Sequence, residues 1–190
     1  PLVVNFKSNN VNASKLEFDM GDGNVKQNEQ NPQHIFKLPG RYIPLMVISD
    51  TFGCTYTMPP IDTIYVYPYP QSSFNYEGTC YGFPVQFNTQ SLSNDTTITS
   101  YLWEFLQDGK RDTSTGIAPL YIFPRGGVPT VKLTTVNKAG CSNTFSDQIR
   151  LKTLKADFIP VSKYNCVGNY INIKSTVKSD TTIQSYKWDI

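Results

Sequence analysis

Hydrophobic and polar residues alternate along most of the chain and never settle into a helical period. Val4 and Phe6, Val85 and Phe87, and Ile171 and Ile173 are each two apart, as a strand with one buried face requires. The longest alternation runs through Tyr42, Pro44, Met46, Ile48 and Asp50, matched by Pro129, Val131, Leu133, Thr135 and Asn137. Pro44 cannot donate to a ladder, which places it at an edge or bulge. Asp22-Gly23 and Asp108-Gly109 read as tight turns between strands. The polar runs 8–14, 91–97 and 176–182, rich in Asn, Ser, Asp and Thr, read as loops. Thr51–Cys54 and Lys138–Cys141 read as turns into a last strand, at Ile64–Val66 and Ile149–Leu151. Many short strands and no helix predict an antiparallel sandwich.

The alternation repeats. Phe18, Trp103 and Trp188 recur at one interval of 85 residues, and so do the acids Asp19, Glu104 and Asp189 beside them. Pro32, His34 and Phe36 are answered by Pro119, Tyr121 and Phe123 at an interval of 87, so the second copy carries two extra residues near its turn. A fixed period with the same chemistry in each slot means a tandem array. The expected division is 1–68, a domain lacking its first strand; 69–154, a complete domain; and 155–190, the opening part of a third. Tyr67-Pro68-Tyr69-Pro70 reads as a stiff linker between the first two.

Composition narrows the function classes. The 190 residues are 39% hydrophobic and 13% aromatic, enough for folded cores with a sheet bias. Net charge is +2 with no basic stripe, which argues against a nucleic-acid partner. No apolar run approaches a membrane span, and the first residues lack the charged and apolar regions of a signal peptide. With a first and a last segment that both read as the middle of a strand, the sequence reads as an internal piece of something longer.

Aromatic-Asp-aliphatic-Gly-Asp-Gly at 18–23, Asn31-Pro32-x-His34-x-Phe36, Gly40-x-Tyr42 and Asp50-Thr-Phe-Gly53 fall in the order that resembles the PKD family of immunoglobulin-like sandwiches. The fold signature is Phe18, Asp19, Gly21, Asp22 and Gly23, answered by Trp103 and Glu104 in the second copy and Trp188 in the third. The second copy departs where Leu106-Gln107 replaces the first Gly, Tyr121 replaces His and Pro129 replaces Tyr, which puts any shared ligand site in doubt. The resemblance implies an all-β chain of tandem PKD-like antiparallel β-sandwiches. Cysteine placement and tandem spacing are further similar to PKD arrays of very large Bacteroidota surface proteins, including gliding-motility adhesins and other cargo of the type 9 secretion system.

Four cysteines, Cys54, Cys80, Cys141 and Cys166, stand far apart beside a single histidine, which argues against zinc and for structural disulfides. In a sandwich of the topology that the resemblance implies, Cys80 and Cys141 lie at opposite ends of one domain. Pairing between neighbouring repeats then competes with an intradomain bond or free buried thiols. Asp19, Asp22 and Asp50 are the calcium candidates, since such sites occur in PKD relatives; the plainer reading is that they shape turns. His34 alternates with Phe36 and has no nucleophile at matching spacing, so it reads as a packing or hydrogen-bonding residue, and no catalytic residue and no cofactor are assigned. Tyr67, Tyr69 and Tyr76 are expected at the surface, to bind ligands or pack neighbours. Thr63, Thr96 and Thr181 lie in Asp-Thr-aliphatic-or-Thr tripeptides that resemble the Bacteroidota O-glycosylation signal.

These readings lead to a non-enzymatic stretch of a long extracellular, cell-surface protein, a stalk and adhesive surface of the gliding-adhesin kind. Its partners would be adjacent repeats, a surface polysaccharide or protein ligand, and secretion or motility machinery. The alternative is an ancillary PKD module of a secreted hydrolase that binds polysaccharide or protein substrate.

Overall fold

The computed structural model describes residues 2–9, 13–60, 62–94, 96–161, 168 and 172–187. Every element is a β-strand paired antiparallel, and the chain divides into two compact units, Pro1–Tyr69 and Pro70–Ile190. Among the described residues no helix is long and apolar enough to cross a membrane.

Unit 1 holds β1 (Leu2–Asn5), β2 (Lys15–Asp19), β3 (Val25–Gln27), β4 (Gln33–Phe36), β5 (Gly40–Tyr42), β6 (Leu45–Ser49), β7 (Thr55–Thr57) and β8 (Ile64–Val66). One sheet runs β3-β2-β6-β7, and the pairs β1-β4 and β5-β8 stand apart from it. Leu16, Phe18, Met20 and Phe36 are buried between them, with Val4, Phe6, Tyr42, Met46 and Ile48 packed around. The long alternation from Tyr42 is thus two strands rather than one. β5 pairs with β8 and β6 with β2, and the change of sheet falls at Ile43-Pro44, where the missing proline N–H breaks the ladder.

Unit 2 holds β9 (Phe74–Glu77), β10 (Val85–Thr89), β11 (Ile98–Gln107), β12 (Lys110–Ser114), β13 (Leu120–Tyr121), β14 (Thr130–Asn137) and β15 (Ser142–Gln148). Its sheets run β12-β11-β14-β15 and β13-β10-β9. Both sheets feed one core, with Val85 and Phe87 from the smaller meeting Trp103, Phe105, Val131 and Leu133 from the larger. Along β14 every second residue is buried, ending at Thr135 and Asn137. Phe18 pairs with Met46 and Trp103 with Leu133, so the recurring aromatic occupies one slot in both units.

The last-strand expectation needs correction in both units. β7 and β15 come between the Gly-Cys turns and the segments Ile64–Val66 and Ile149–Leu151. All three residues of β7 and all seven of β15 are exposed, so neither strand shows an alternation to find.

Within unit 2 the chain enters the β9–β15 sandwich at one pole and leaves it at the other. Asn143 Nδ2 donates to Pro70 O, and Ser72 Oγ lies 2.8 Å from Thr135 Oγ1, near the Asn137 end of β14. Leu151 N donates to Gly127 O at the Thr130 end, and Lys152 bridges Cys80 in parallel. Beyond it, β16 (Leu154–Pro160) and β17 (Ile173–Ser179) form an antiparallel pair. Phe158 faces Ser175 there as Phe74 faces Thr89 in the β9-β10 pair.

Candidate functional site

The turn after β2 is where the polar signature residues converge. Asp19 Oδ1 accepts the Gly21 N–H at 2.9 Å, and Asp22 Oδ1 accepts both the backbone N–H and the side-chain amide of Asn24 at 3.1 Å. Gly21 has φ +77° and lies so close to the link between β5 and β6 that an added Cβ would meet Ile43 N at 2.8 Å. That position requires glycine on two counts, left-handed backbone and close approach. The geometry leaves the second Asp22 oxygen facing β4, where His34 Nε2 donates to Oδ2 at 2.7 Å.

Both side chains of the pair are largely covered, His34 at 10% and Asp22 at 16% exposure. The His34 ring stands edge-on to Phe36 at 4.7 Å, and Phe36 stacks on Tyr42 at 4.4 Å. Tyr42 Oη closes the series by donating to Leu38 O. Burial alone would raise the Asp22 carboxyl, but the hydrogen bonds from His34 and Asn24 outweigh it and hold it below the usual carboxylate range. The pair borders an open depression of about 800 Å³ that Lys26 and Lys37 also line. The chemistry of the pair is that of a clamp between the turn and β4, which the separate readings of Asp22 and His34 missed. The two copies carry only half of a signal: His34 gives way to Tyr121, but Asp22 is kept as Asp108.

In unit 2 the corresponding turn has Asp108 at φ +50° and Gly109 at φ +75°, the two left-handed residues of a tight hairpin. Asp108 is approached by Arg125 at 3.4 Å on an exposed surface, and Tyr121 fills the histidine slot by stacking on Phe105, 4.0 Å apart and 4° from parallel. Burial, then the neighbouring Asp112, raises the Tyr121 phenol. Glu104 is ion-paired with Arg111. Trp103 is fully buried and donates Nε1–H to Gly116 O at 2.8 Å.

The other candidates fall as follows. Asp50 Oδ1 accepts the N–H groups of Phe52 and Cys54, and Asn137 Oδ1 accepts that of Cys141, so the Asp-to-Asn change preserves one turn. Asp50 follows Ser49, which pairs with Lys15, whereas Asp19 pairs with Leu45. Asp19 and Asp22 therefore sit at one end of β2 and Asp50 at the other, and the three carboxylates do not share a site. Among the described residues no three His, Cys, Asp or Glu side chains cluster to hold a metal ion. Cys54 and Cys80 carry free, exposed thiols, and Cys141 is half-buried. Cys80 lies at the Gly127–Leu151 pole and Cys141 beyond Asn137, about 25 Å apart along β14. Tyr67 and Tyr69 are exposed, but Tyr76 packs on the core beside Phe87 rather than facing solvent. Thr63 and Thr96 are half-buried and Thr181 is exposed. Cys166, Trp188 and the Asp95 that precedes Thr96 lie outside the described residues.

Two facing antiparallel sheets with this turn define the class, an immunoglobulin-like β-sandwich. Within it, residues 68–152 match the PKD domain family. Over 110 residues, 57% of its length, the chain is 31% identical to the pre-pro-metalloprotease PrtV of Vibrio cholerae. It spans 12% of that relative. Solved structures similar to it include the PKD1 domain of PrtV, at 31% identity, 44% of this chain, 98% of that one and TM-score 0.39. The PKD1 domain of Vibrio anguillarum Epp is similar at 27% identity, 45% of this chain, 96% of that one and TM-score 0.40.

Proposed function

We propose that this chain is a run of non-catalytic PKD-type modules that serves a secreted hydrolase as an ancillary segment and holds protein or polysaccharide substrate outside the cell. The observation that carries the reading is the 31% identity over 110 residues to a pre-pro-metalloprotease. It favours the ancillary role over the gliding-adhesin stalk and its secretion machinery. The fold supports a binding and spacing role, because the polar signature residues are spent on turns and on the Asp22–His34 clamp. The module division is 1–68, 69–154 and 155–190, the last supported by the β16-β17 register that repeats β9-β10. Cys80 and Cys141, at opposite poles, pair with cysteines of neighbouring modules.

The test is deletion of residues 68–152 from the full-length polypeptide. Hydrolysis of a soluble peptide should persist while hydrolysis of an insoluble protein or polysaccharide falls. A full-length polypeptide made of further repeats with no hydrolytic activity would sink the reading.

A further inference from the structure

One trough occurs in both units. At the same margin of each sandwich the outermost strands of two sheets, β3 and β4 in unit 1 and β12 and β13 in unit 2, border an open depression. That of unit 1, about 800 Å³, is lined by Asp22 and Lys26 from one wall and by His34, Lys37 and Leu38 from the other. That of unit 2, about 390 Å³, is lined by Lys110 and Asp112 from one wall and by Tyr121, Ile122 and Pro124 from the other. His34 and Tyr121 hold one repeat slot at the interval of 87, so the two troughs are counterparts.

Lys26 pairs with Phe18 and Asp112 with Phe105, and both partners are buried, so these edge strands carry charge in slots that face the core. Inward charge on an edge keeps a further strand from docking, which leaves the trough to a ligand that needs no ladder. The acids there are spent. Asp22 accepts from His34 and Asn24, and Asp112 accepts the Thr113 N–H at 2.8 Å beside the Tyr121 phenol. Two of the cations are spent as well, Lys26 on Glu29 at 3.6 Å and Arg111 on Glu104. Lys37 and Lys110 take part in no ion pair among the described residues. Each trough thus sets one uncommitted cation beside apolar surface open to solvent, Leu38 at 70% exposure and Ile122 at 55%. The cation comes from opposite walls in the two copies, after β4 in unit 1 and from β12 in unit 2.

We propose that this trough is a glycan subsite, present once in each unit, that takes a sugar residue carrying a carboxylate, of the uronate kind. The carboxylate meets Lys37 in unit 1 and Lys110 in unit 2, and the C–H face of the sugar ring lies on Leu38 or on Ile122. A free cation calls for an anionic group, and the apolar surface beside it calls for a ring rather than a bare ion. The guarded edges disfavour an added peptide strand. Recurrence suits a polymer whose own units repeat, because two weak subsites on one chain reinforce each other through effective concentration. The inference deepens the substrate-holding reading above and rests on its polysaccharide arm.

The test is to titrate the 190-residue chain with hexagalacturonate, followed by NMR, with cellohexaose as the neutral glycan and hexaglutamate as the acidic peptide. Hexagalacturonate should shift the resonances of Lys37, Leu38, Lys110 and Ile122, and the other two should leave them in place. Lys37→Ala should weaken binding at unit 1, and Lys110→Ala binding at unit 2, by about fivefold or more. Both lysines are exposed, so neither change disturbs a core. Lys138→Ala removes the same charge from an exposed turn elsewhere and should change nothing. Resonances unmoved by hexagalacturonate, equal shifts from cellohexaose or hexaglutamate, or equal weakening by Lys138→Ala would each overturn the proposal. None of these results bears on the hydrolase reading, which deletion of residues 68–152 decides separately.

Discussion

Asp22 Oδ2 and His34 Nε2 stand 2.7 Å apart and tie the turn after β2 to β4, one element from each side of the unit 1 core. Because the carboxyl is held below its ordinary range in the fold, the ionised form stabilises the folded state. That contribution is present above the unfolded carboxylate value, about 3.9, and is lost as pH falls through the lower folded value. Acid titration of unit 1 should therefore show a destabilising step below about pH 4. Asp22→Asn should remove that step and cost about 1 kcal/mol at neutral pH, read from urea unfolding followed by His34 resonances.

Gly21 and Gly23 separate backbone strain from crowding. Both have positive φ, +77° and +85°, but only at Gly21 would an added Cβ meet other backbone atoms within 4 Å. Gly21→Ala should cost about 2–3 kcal/mol and Gly23→Ala about 1 kcal/mol, compared by thermal melts of the two variants.

Trp103 is expected to dominate unit 2. Trp103→Ala should cost about 3–5 kcal/mol by leaving a cavity among Phe74, Phe87 and Leu133. Trp103→Phe should cost about 1–2 kcal/mol, part of it the unpaired Gly116 carbonyl. Chemical denaturation of each variant, with unit 1 followed separately through His34, checks both.

Sequence periodicity made the cores of both units legible. Phe18 and Trp103 could be paired by spacing because the slot is buried, and burial is what imposes a period on side chains. β7 and β15 escaped for the converse reason, since an edge strand with every residue exposed carries no alternation. The Asp22–His34 contact joins residues twelve apart on different sheets, and a single copy does not announce it. Comparing copies shows only that the histidine slot becomes Tyr121 while the acid is kept as Asp108; that Tyr121 stacks on Phe105 and Asp108 turns to Arg125 is visible in the structure alone.

Calcium should have no purchase on unit 1. Asp50 is spent on the Phe52 and Cys54 amides at the far end of β2 from Asp19 and Asp22, so millimolar calcium chloride should leave the melting temperature unchanged. A rise of several degrees would show that the three acids are not confined to turn formation.

The cysteines make a related prediction. With about 25 Å between them along β14, Cys80 and Cys141 should yield no mutually linked peptide when the folded chain is oxidised with glutathione disulfide and digested for mass spectrometry. Cys54 and Cys80, both exposed, should react readily with maleimide in the folded chain.

Entry beside Asn143 and exit at Lys152 give the β9–β15 sandwich of unit 2 a direction under load. A pull applied between residues 70 and 152 runs along the strands, and the Thr79–Tyr81 bonds to Lys152 lie in its path in parallel orientation. That pair of bonds is loaded in shear, and the lifetime of the sandwich under force is set by the unfolding barrier rather than by its equilibrium stability.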